Sequence, residues 1–548
     1  MKTAFLLFAL YSVASASFGR QAGAQTNSQD TTPPSVPAHA ALDPAGLSLL
    51  QVLQDSLSKN PQLHIQQFTV DEQAGELRTA KGQFDWALNG TANQQRSYTP
   101  LTAAAVAAYD TPGSGLPNVS STVANDSTVN AQASKQFRSG VTITPSVSVS
   151  RTTDNINYPG GINQAQTNFQ VVLPLLRNRG RKAIDAQEVS ADKLLKASRM
   201  DLSQMVSDTL ATAAIRYWTF VAADATVALY KDAEDRANSV LGNSQELVNA
   251  DRLPANDLNQ ARANLASRVA SRVGAEQNLL LAKQQLVLVM GLGAEQILAL
   301  PAPAQDIPAS VSNFDPMLMA DYLKLANTAR ADVLAAQLRV DSNLVLQGAA
   351  QNQVKPQLDV SGTVGYTGLR EGTNGFDYPA SLFSAPKGAD FTIGIVYNQS
   401  PANNAAKGRV QSAVALTRQS EVTLSETARN AATSVVVAFE GVRNTLLQLQ
   451  KAQESVRDYQ AALDGEREKF RLHRNSLVDV LTVEDRLTDG VVNEVNARLA
   501  YATALVQLRQ ATGTIVNAGQ DVLQVDPHIF SELPPPTLTT STNATKSK

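Results

Sequence analysis

Apolar and polar residues follow two different periods along this chain. From Phe391 to Asn398 they alternate, with Phe391, Ile393, Ile395 and Tyr397 on one face and Thr392, Gly394, Val396 and Asn398 on the other. Such alternation predicts a strand with one apolar face. Leu358–Thr367 repeats the pattern, with Leu358, Val360, Gly362, Val364 and Tyr366 on one side. From about Ala406 to Phe470 the period changes. Val435, Phe439, Val442, Leu446, Leu449, Gln453, Val456, Gln460, Leu463, Arg467 and Phe470 step by four and three, which is a coiled-coil seam. A second long helix is expected from about Arg181 to Ala250, roughly 70 residues or on the order of 105 Å.

The two halves of the chain resemble each other. FQVVLPLL from Phe169 aligns with FTIGIVYN from Phe391, and 391 − 169 is 222. LPANDLNQARANL aligns with NSLVDVLTVEDRL so that Asp257 meets Asp479, and the offset is again 222. Upstream, FDWALNGT aligns with PQLDVSGT at an offset of 272 (Gly90 to Gly362), so the first half carries about 50 more residues between its strands. Each half reads helix, strand, loop, strand, very long helix, tight turn, helix. The expected divisions are a first repeat at 46–292, a Pro-rich linker at 293–316, a second repeat at 317–520, and disordered segments at 25–45 and 521–548.

The expected strands are near Phe84–Asn93 and Asn168–Leu175 in the first half, with Leu358–Thr367 and Phe391–Asn398 in the second. Strands of this length with one apolar face suit an outer-membrane barrel, and equally a small sandwich at the end of a coiled coil. A sheet in lipid must close, and four strands cannot close alone. If these strands span a membrane, several copies share one barrel. Three copies of four give twelve strands, the favoured count. An extra hairpin, VNAQASKQF then VTITPSVSVS, would raise it to eighteen, but Pro145 argues against a central strand there.

Composition narrows the chemistry. Lys2, the apolar run Ala4–Ala16, and the small residues ASA (14–16) and AGA (22–24) form an expected signal peptide over 1–24. There is no cysteine, hence no disulfide framework or thiolate metal site. With 46 basic and 49 acidic residues, nothing favours a nucleic-acid partner. His39, His64, His473 and His528 lack metal-ligand spacing, and no nucleophile elbow or phosphate loop is present, so no cofactor and no enzymatic activity are expected. The basic run RNRGRK (177–182) is either a solvated helix start or a contact with lipid headgroups.

Several motifs carry a family resemblance. KNPQL (59–63) is similar to an Asn-Pro-x-Leu segment, ARADVL (329–334) occupies the corresponding place in the second half, and LPLLRNRGRKA (173–183) is similar to a Pro-Leu-Leu-Arg-Gly segment. DRLPANDL (251–258) and HRNSLVDVL (473–481) match a six-residue lead into Asp and an apolar residue. Together these resemble the TolC-type outer-membrane efflux proteins over nearly the whole chain past the signal. Asp251 and His473 stand where that family usually has Gly, Asn475 where it has a basic residue, and Thr482 at a second acidic position.

The resemblance implies an α+β membrane protein, with a shared trimeric β-barrel continuous with a long periplasmic α-helical barrel. It implies a passive outer-membrane exit duct, opened at its helical tip by a periplasmic adaptor and an inner-membrane pump of unspecified class. It places Asp479 and Asp257 at the aperture, where carboxylates would favour cations, against the alternative of ordinary helix N-terminal acids. It places Asp251, Arg252, Leu253, Pro254, His473, Arg474, Asn475, Ser476 and Leu477 at adaptor-contacting tips, against the alternative of turn chemistry. The competing reading is a periplasmic coiled-coil adaptor.

Overall fold

The computed structural model describes residues 46–109, 119–251, 254–308, 314–372, 374, 377–384, 388–472, 474–516 and 526–536. The expected signal peptide and the segment 25–45 lie outside the described residues. The main elements are α1 (Leu49–Lys59), α2 (Pro61–Gly82), β1 (Ala87–Pro100), β2 (Ser121–Gln136), β3 (Thr142–Asp154), β4 (Ile162–Pro174), α3 (Ala186–Asn249) and α4 (Ala255–Val289). They continue with α5 (Met319–Ala329), α6 (Ala331–Gln353), β5 (Gln357–Glu371), β6 (Asp390–Asn398), α7 (Asn404–Arg471) and α8 (Leu477–Thr512).

The helices pack side by side in one layer. Near the sheet the neighbours run α2, α3, α6, α7; toward the far tips they run α4, α3, α8, α7. The two long helices, of 64 and 68 residues, therefore span both levels, and shorter helices abut beside them. The seam in α7 is buried at Val435, Phe439, Val442, Leu449 and Leu463, whereas its polar members Gln453, Gln460 and Arg467 are exposed. Phe439 anchors the core with Tyr322, Leu325, Tyr501, Leu505 and Leu508. In the first half Tyr217, Phe220, Leu210 and Leu53 are buried equivalents. Burial pushes the Tyr217 phenol up to about 12, and its hydroxyl donates to the Leu47 carbonyl at 2.9 Å.

Two kinks divide the shorter helices. Asn60 caps α2, accepting from the Gln62 N–H at 2.9 Å and donating to the Val289 carbonyl at 3.2 Å, and Pro61 fills the first helical position where an N–H would go unused. At the equivalent break Arg330 donates to the Ala511 carbonyl at 3.2 Å. Opposite each kink a helix ends on glycine in the left-handed region, Gly291 at φ 68° and Gly513 at φ 70°. A Cβ on Gly291 would overlap the Lys59 carbonyl oxygen.

The six strands form one antiparallel sheet in the order β1-β2-β3-β4-β5-β6. This corrects the expectation of four strands per chain: β2 and β3, the extra hairpin, lie between β1 and β4. Pro145 fits because the ladder to β2 is interrupted there, passing from Gln132–Ser146 to Lys135–Ile143, while the ladder to β4 continues through Pro145–Phe169. The missing N–H is thus placed where no bond is required. A second correction concerns the tail. Residues 526–536 pack back on α8: Phe530 is fully buried, and Arg509 donates to the carbonyls of Glu532 and Leu533 at 2.9 and 3.0 Å.

Gly291→Ala combines a disfavoured φ with a backbone clash, so it is expected to destabilise the fold by at least about 1 kcal/mol, read as a lowered midpoint in helical thermal melts. Gly348→Ala, in open space within α6, is the control expected to match the parent or exceed it.

Candidate functional site

Two regions carry the functional geometry: the faces of the sheet and the tips of the helical hairpins. The pairing register assigns every strand residue to one of two faces. Row by row, Phe391 lies beside Val364, Phe169 and Pro145, and Ile393 lies beside Gly362, Val171, Ile143 and Lys135. Further along, Tyr366, Thr167, Val147, Ala131 and Gly90 share a row, then Gly368, Ala165, Val149, Val129 and Ala92. One face is therefore apolar across all six strands, including the hairpin. Its β6 residues are well exposed, Phe391 at 67% and Ile395 at 70%.

The opposite face is mostly polar, with Val172, Leu369 and Val396 among its exceptions. Thr91, Asn130 and Ser148 form a chain of contacts across three strands, with Asn130 Nδ2 donating to Thr91 Oγ1 at 3.3 Å and Ser148 Oγ donating to Asn130 Oδ1 at 2.5 Å. Thr152 donates to Asp126 at 2.7 Å and Thr367 to Asp390 at 3.0 Å on the same side. Apolar residues on β4 run from Ala165 to Leu173. At about 3.3 Å per residue and a tilt of about 40°, that is about 20 Å, close to the apolar band of an outer-membrane barrel. Toward the loop end, the segment 377–383 lies over this face: Tyr378 donates to the Val149 carbonyl at 3.0 Å, and Val149 and Ala165 are 4% and 1% exposed.

At the first tip, α3 ends at Asn249 and Asp251 takes φ 55°, the left-handed conformation expected at a position that favours glycine. Arg252 and Leu253 lie outside the described residues. Pro254 precedes α4 and is exposed, and Asp257 sits half-buried in its first turn. At the second tip, His473 lies outside the described residues, and Arg474 is exposed, its N–H bonded to the Lys469 carbonyl at 2.8 Å. Asn475 donates to the Glu466 carbonyl at 3.0 Å and to its carboxylate at 2.6 Å, tying the turn to the end of α7.

Ser476 and Asp479 form a capping box. Ser476 Oγ accepts from the Asp479 N–H at 3.3 Å, and the Asp479 carboxylate accepts from the Ser476 N–H at 3.0 Å and hydroxyl at 2.7 Å. Those Ser476 bonds hold the Asp479 carboxyl below its ordinary value. Leu477, the first apolar residue after the cap, is 6% exposed.

Sequence reasoning missed the ion pairs that join the hairpins. Glu484 on α8 accepts from Arg236 of α3 at 2.8 Å and lies 3.7 Å from Arg467 of α7. Its neighbour Asp485 pairs with Arg268 of α4 and accepts from Asn264 at 3.3 Å. Glu484 is 8% exposed. The available signal was a carboxylate spaced four from both Val480 and Thr488 on a buried stripe, which demands a partner.

Among the described residues no group of acidic or His side chains has metal-ligand geometry, and no helix is long and apolar enough to cross a membrane. The sheet, apolar on one face, is rooted on paired helical hairpins. Residues 322–514 match the family model described as outer membrane efflux protein. The outer membrane protein TolC of Escherichia coli is 25% identical over 280 residues, 49% of this chain, and the match spans about half (54%) of that relative's length. The Campylobacter jejuni CmeC outer membrane channel superposes with a TM-score of 0.60 at 18% identity, over 86% of this chain and 87% of its own. VceC, an outer membrane protein of Vibrio cholerae, gives 0.59 at 17%, over 85% and 96%. The chain resembles the TolC-type outer membrane efflux proteins in sequence over much of its second half, and in fold over most of its length.

Because the folded-state pKa of Asp479 is depressed, its stabilising contribution is complete above the ordinary carboxylate range and is lost only as pH falls through the lowered value. Hydrogen exchange at the 476–480 amides, corrected for intrinsic rate, is therefore expected to be unchanged between pH 7 and pH 5. Ser476→Ala is expected to weaken the cap by about 1 kcal/mol and to speed that exchange; equal protection in the variant would refute the capping role.

Proposed function

We propose that this chain is one protomer of a homotrimeric exit duct in the outer membrane of a bacterium, a passive conduit serving a periplasmic adaptor and an inner-membrane pump. The observation that carries the reading is the continuous apolar face over six strands whose outermost members, β1 and β6, each have an unpaired edge in the chain. In lipid an open edge leaves N–H and C=O groups unsatisfied, so β6 of one copy pairs with β1 of the next. Three copies of six strands give eighteen, in place of the twelve favoured by the sequence. The lumen is then about 1.5 times as wide as in a twelve-stranded wall. A soluble coiled-coil adaptor has no use for a broad exposed apolar face of this height.

An internal duplication is part of the same reading. It is supported by the 222-residue offset between Gly291 and Gly513 at the two kinks, between Val289 and Ala511 whose carbonyls receive the kink side chains, and between Tyr217 and Phe439 in the two cores. The carboxylates at Asp257 and Asp479 line the tip aperture in this reading, and the exposed Pro254, Arg474 and Ser476 face the adaptor. The pairs at Glu484 and Asp485 hold the second hairpin against the first in the closed state. They stand in for a lock at position 475, whose Asn side chain is committed to Glu466.

Expression in a Gram-negative host is expected to give heat-resistant trimers in the outer-membrane fraction, with conductance in planar bilayers. A soluble periplasmic monomer would overturn the proposal. The chain lacks cysteine, so single Cys residues report wall membership directly. Spin labels at Val147 are expected to be accessible to oxygen, and labels at Ser148 to a water-soluble nickel complex. Absence of that alternation would return the count to twelve, and the reverse pattern would overturn the assignment of the two faces. Glu484→Gln removes a nearly buried carboxylate from two arginines and is expected to raise open-channel frequency about ten-fold, the equivalent of about 1.4 kcal/mol.

A further inference from the structure

Where the apolar face of the sheet gives way to the helices, a cleft of about 580 Å³ opens between α2, the β2–β3 turn and the start of the helical layer. Its walls carry Lys81, Lys135, Arg138 and Arg181 against a single acid, Asp85, together with Phe84 and Phe137. Two of the four cations are already neutralised: Arg138 makes a two-pronged pair with Glu188 at 2.7 and 2.9 Å, and Arg181 lies 3.2 Å from Asp185. Lys81 and Lys135 have no carboxylate within 4.0 Å among the described residues. Lys135 shares the face and row of Ile143, Val171, Gly362 and Ile393, one row above Leu173, Val360 and Ile395, so it stands near the lower end of the apolar face.

Aromatic rings frame that ammonium. Lys135 Nζ is 5.6 Å from the centre of Trp86 and 5.7 Å from that of Phe137, and Arg138 stacks at 4.5 Å on Phe84. Trp86 is 52% exposed on the same face. Trp86 and Lys135 thus stand at one level near the lower end of the apolar face, with Phe137 one row further toward the helices and Lys81 on α2 across the cleft. Lipid presents acyl chain, glycerol ester, then phosphate.

We propose that this cleft binds the phosphate of an anionic phospholipid in the periplasm-facing leaflet, with Lys81 and Lys135 holding the headgroup and Trp86 and Phe137 packing on its glycerol region. The site rests on the outer-membrane reading above and adds a specific ligand to it. It also settles how the basic run divides its labour: Arg177 turns away to donate to Gln357 at 2.6 Å, whereas Arg181 borders the cleft.

Native mass spectrometry of the detergent-purified full-length protein tests this with phosphatidylglycerol, phosphatidylcholine and inorganic phosphate as probes. Saturable retention of phosphatidylglycerol is expected, weakened at least ten-fold in K81A/K135A and restored in K81R/K135R, with trimers intact in all three. Retention unchanged in K81A/K135A would overturn the site. So would equal retention of phosphatidylcholine, or displacement of the lipid by millimolar inorganic phosphate, which would mark a free-anion site. Should K81A/K135A fail to assemble, K135Q supplies the same comparison. Wild-type trimers that insert into vesicles yet retain no phosphatidylglycerol would refute the cleft and leave the duct standing; failure to enter membranes would refute the duct itself.

Discussion

A strand in lipid has no water to satisfy its edge, and this one constraint organises the rest of the molecule. The sheet of one chain ends on β1 and β6, and both edges need partners. The edges meet only if copies are arranged around an axis, which gives the sheet an inside and an outside. The split between Val147, Phe169 and Ile393 on one face and Ser148, Gln170 and Thr392 on the other then has a physical purpose. In the proposed barrel apolar side chains face acyl chains, and amides and hydroxyls face water in the lumen.

Below the sheet the problem is different, because in the proposed assembly both surfaces of the helical layer meet water or neighbouring copies. Contact between helices is made by narrow seams with small residues. Ala211, Ala213, Ala214, Ala431, Ala497, Ala502 and Ala504 are all buried, beside larger anchors such as Tyr217, Phe220, Phe439 and Tyr501. The ion pairs made by Glu484 and Asp485 join the two hairpins across these seams. Glu484 is nearly buried and shared by two arginines, and removing it would strand charges that it satisfies. Exposed pairs within a helix, such as Arg429–Glu426, carry no such consequence.

Much of this was legible in the sequence, and what was not has identifiable causes. Alternation around Phe391 and the four-three stepping from Val435 are local periods, so strand β6 and helix α7 follow from composition in sequence order. The caps are equally local: Asn60 before Pro61, and Ser476 three before Asp479. In the sequence Pro145 argues against the hairpin β2–β3, although Val129, Ala131, Val147 and Val149 alternate as clearly as the other strands do. The proline rule concerns a missing N–H, and only pairing partners show whether that N–H was needed. Arg236 and Glu484 are 248 residues apart, and no local pattern joins them. The tip residues were placed by family resemblance, which finds the turn but does not reveal that Leu477 is buried.

Six strands also solve a fitting problem that four would leave open. Strands about 4.8 Å apart, tilted by about 40°, each occupy about 6.3 Å of wall. Four of them cover about 25 Å of circumference, whereas four helices side by side cover roughly 32 to 40 Å. The chain presents four helices at the junction, α2, α3, α6 and α7, and must pass directly from one layer to the other at β1, β4, β5 and β6. With the hairpin included the sheet covers about 38 Å, so the two layers match in width without a taper. The β2–β3 turn then overhangs the helical layer at Phe137–Gly140, where Gly140 at φ 94° lets the chain reverse against Asn178 and Pro174. The same turn forms one wall of the basic cleft, so widening the sheet by two strands is also what creates that cleft at the lower edge of the apolar band.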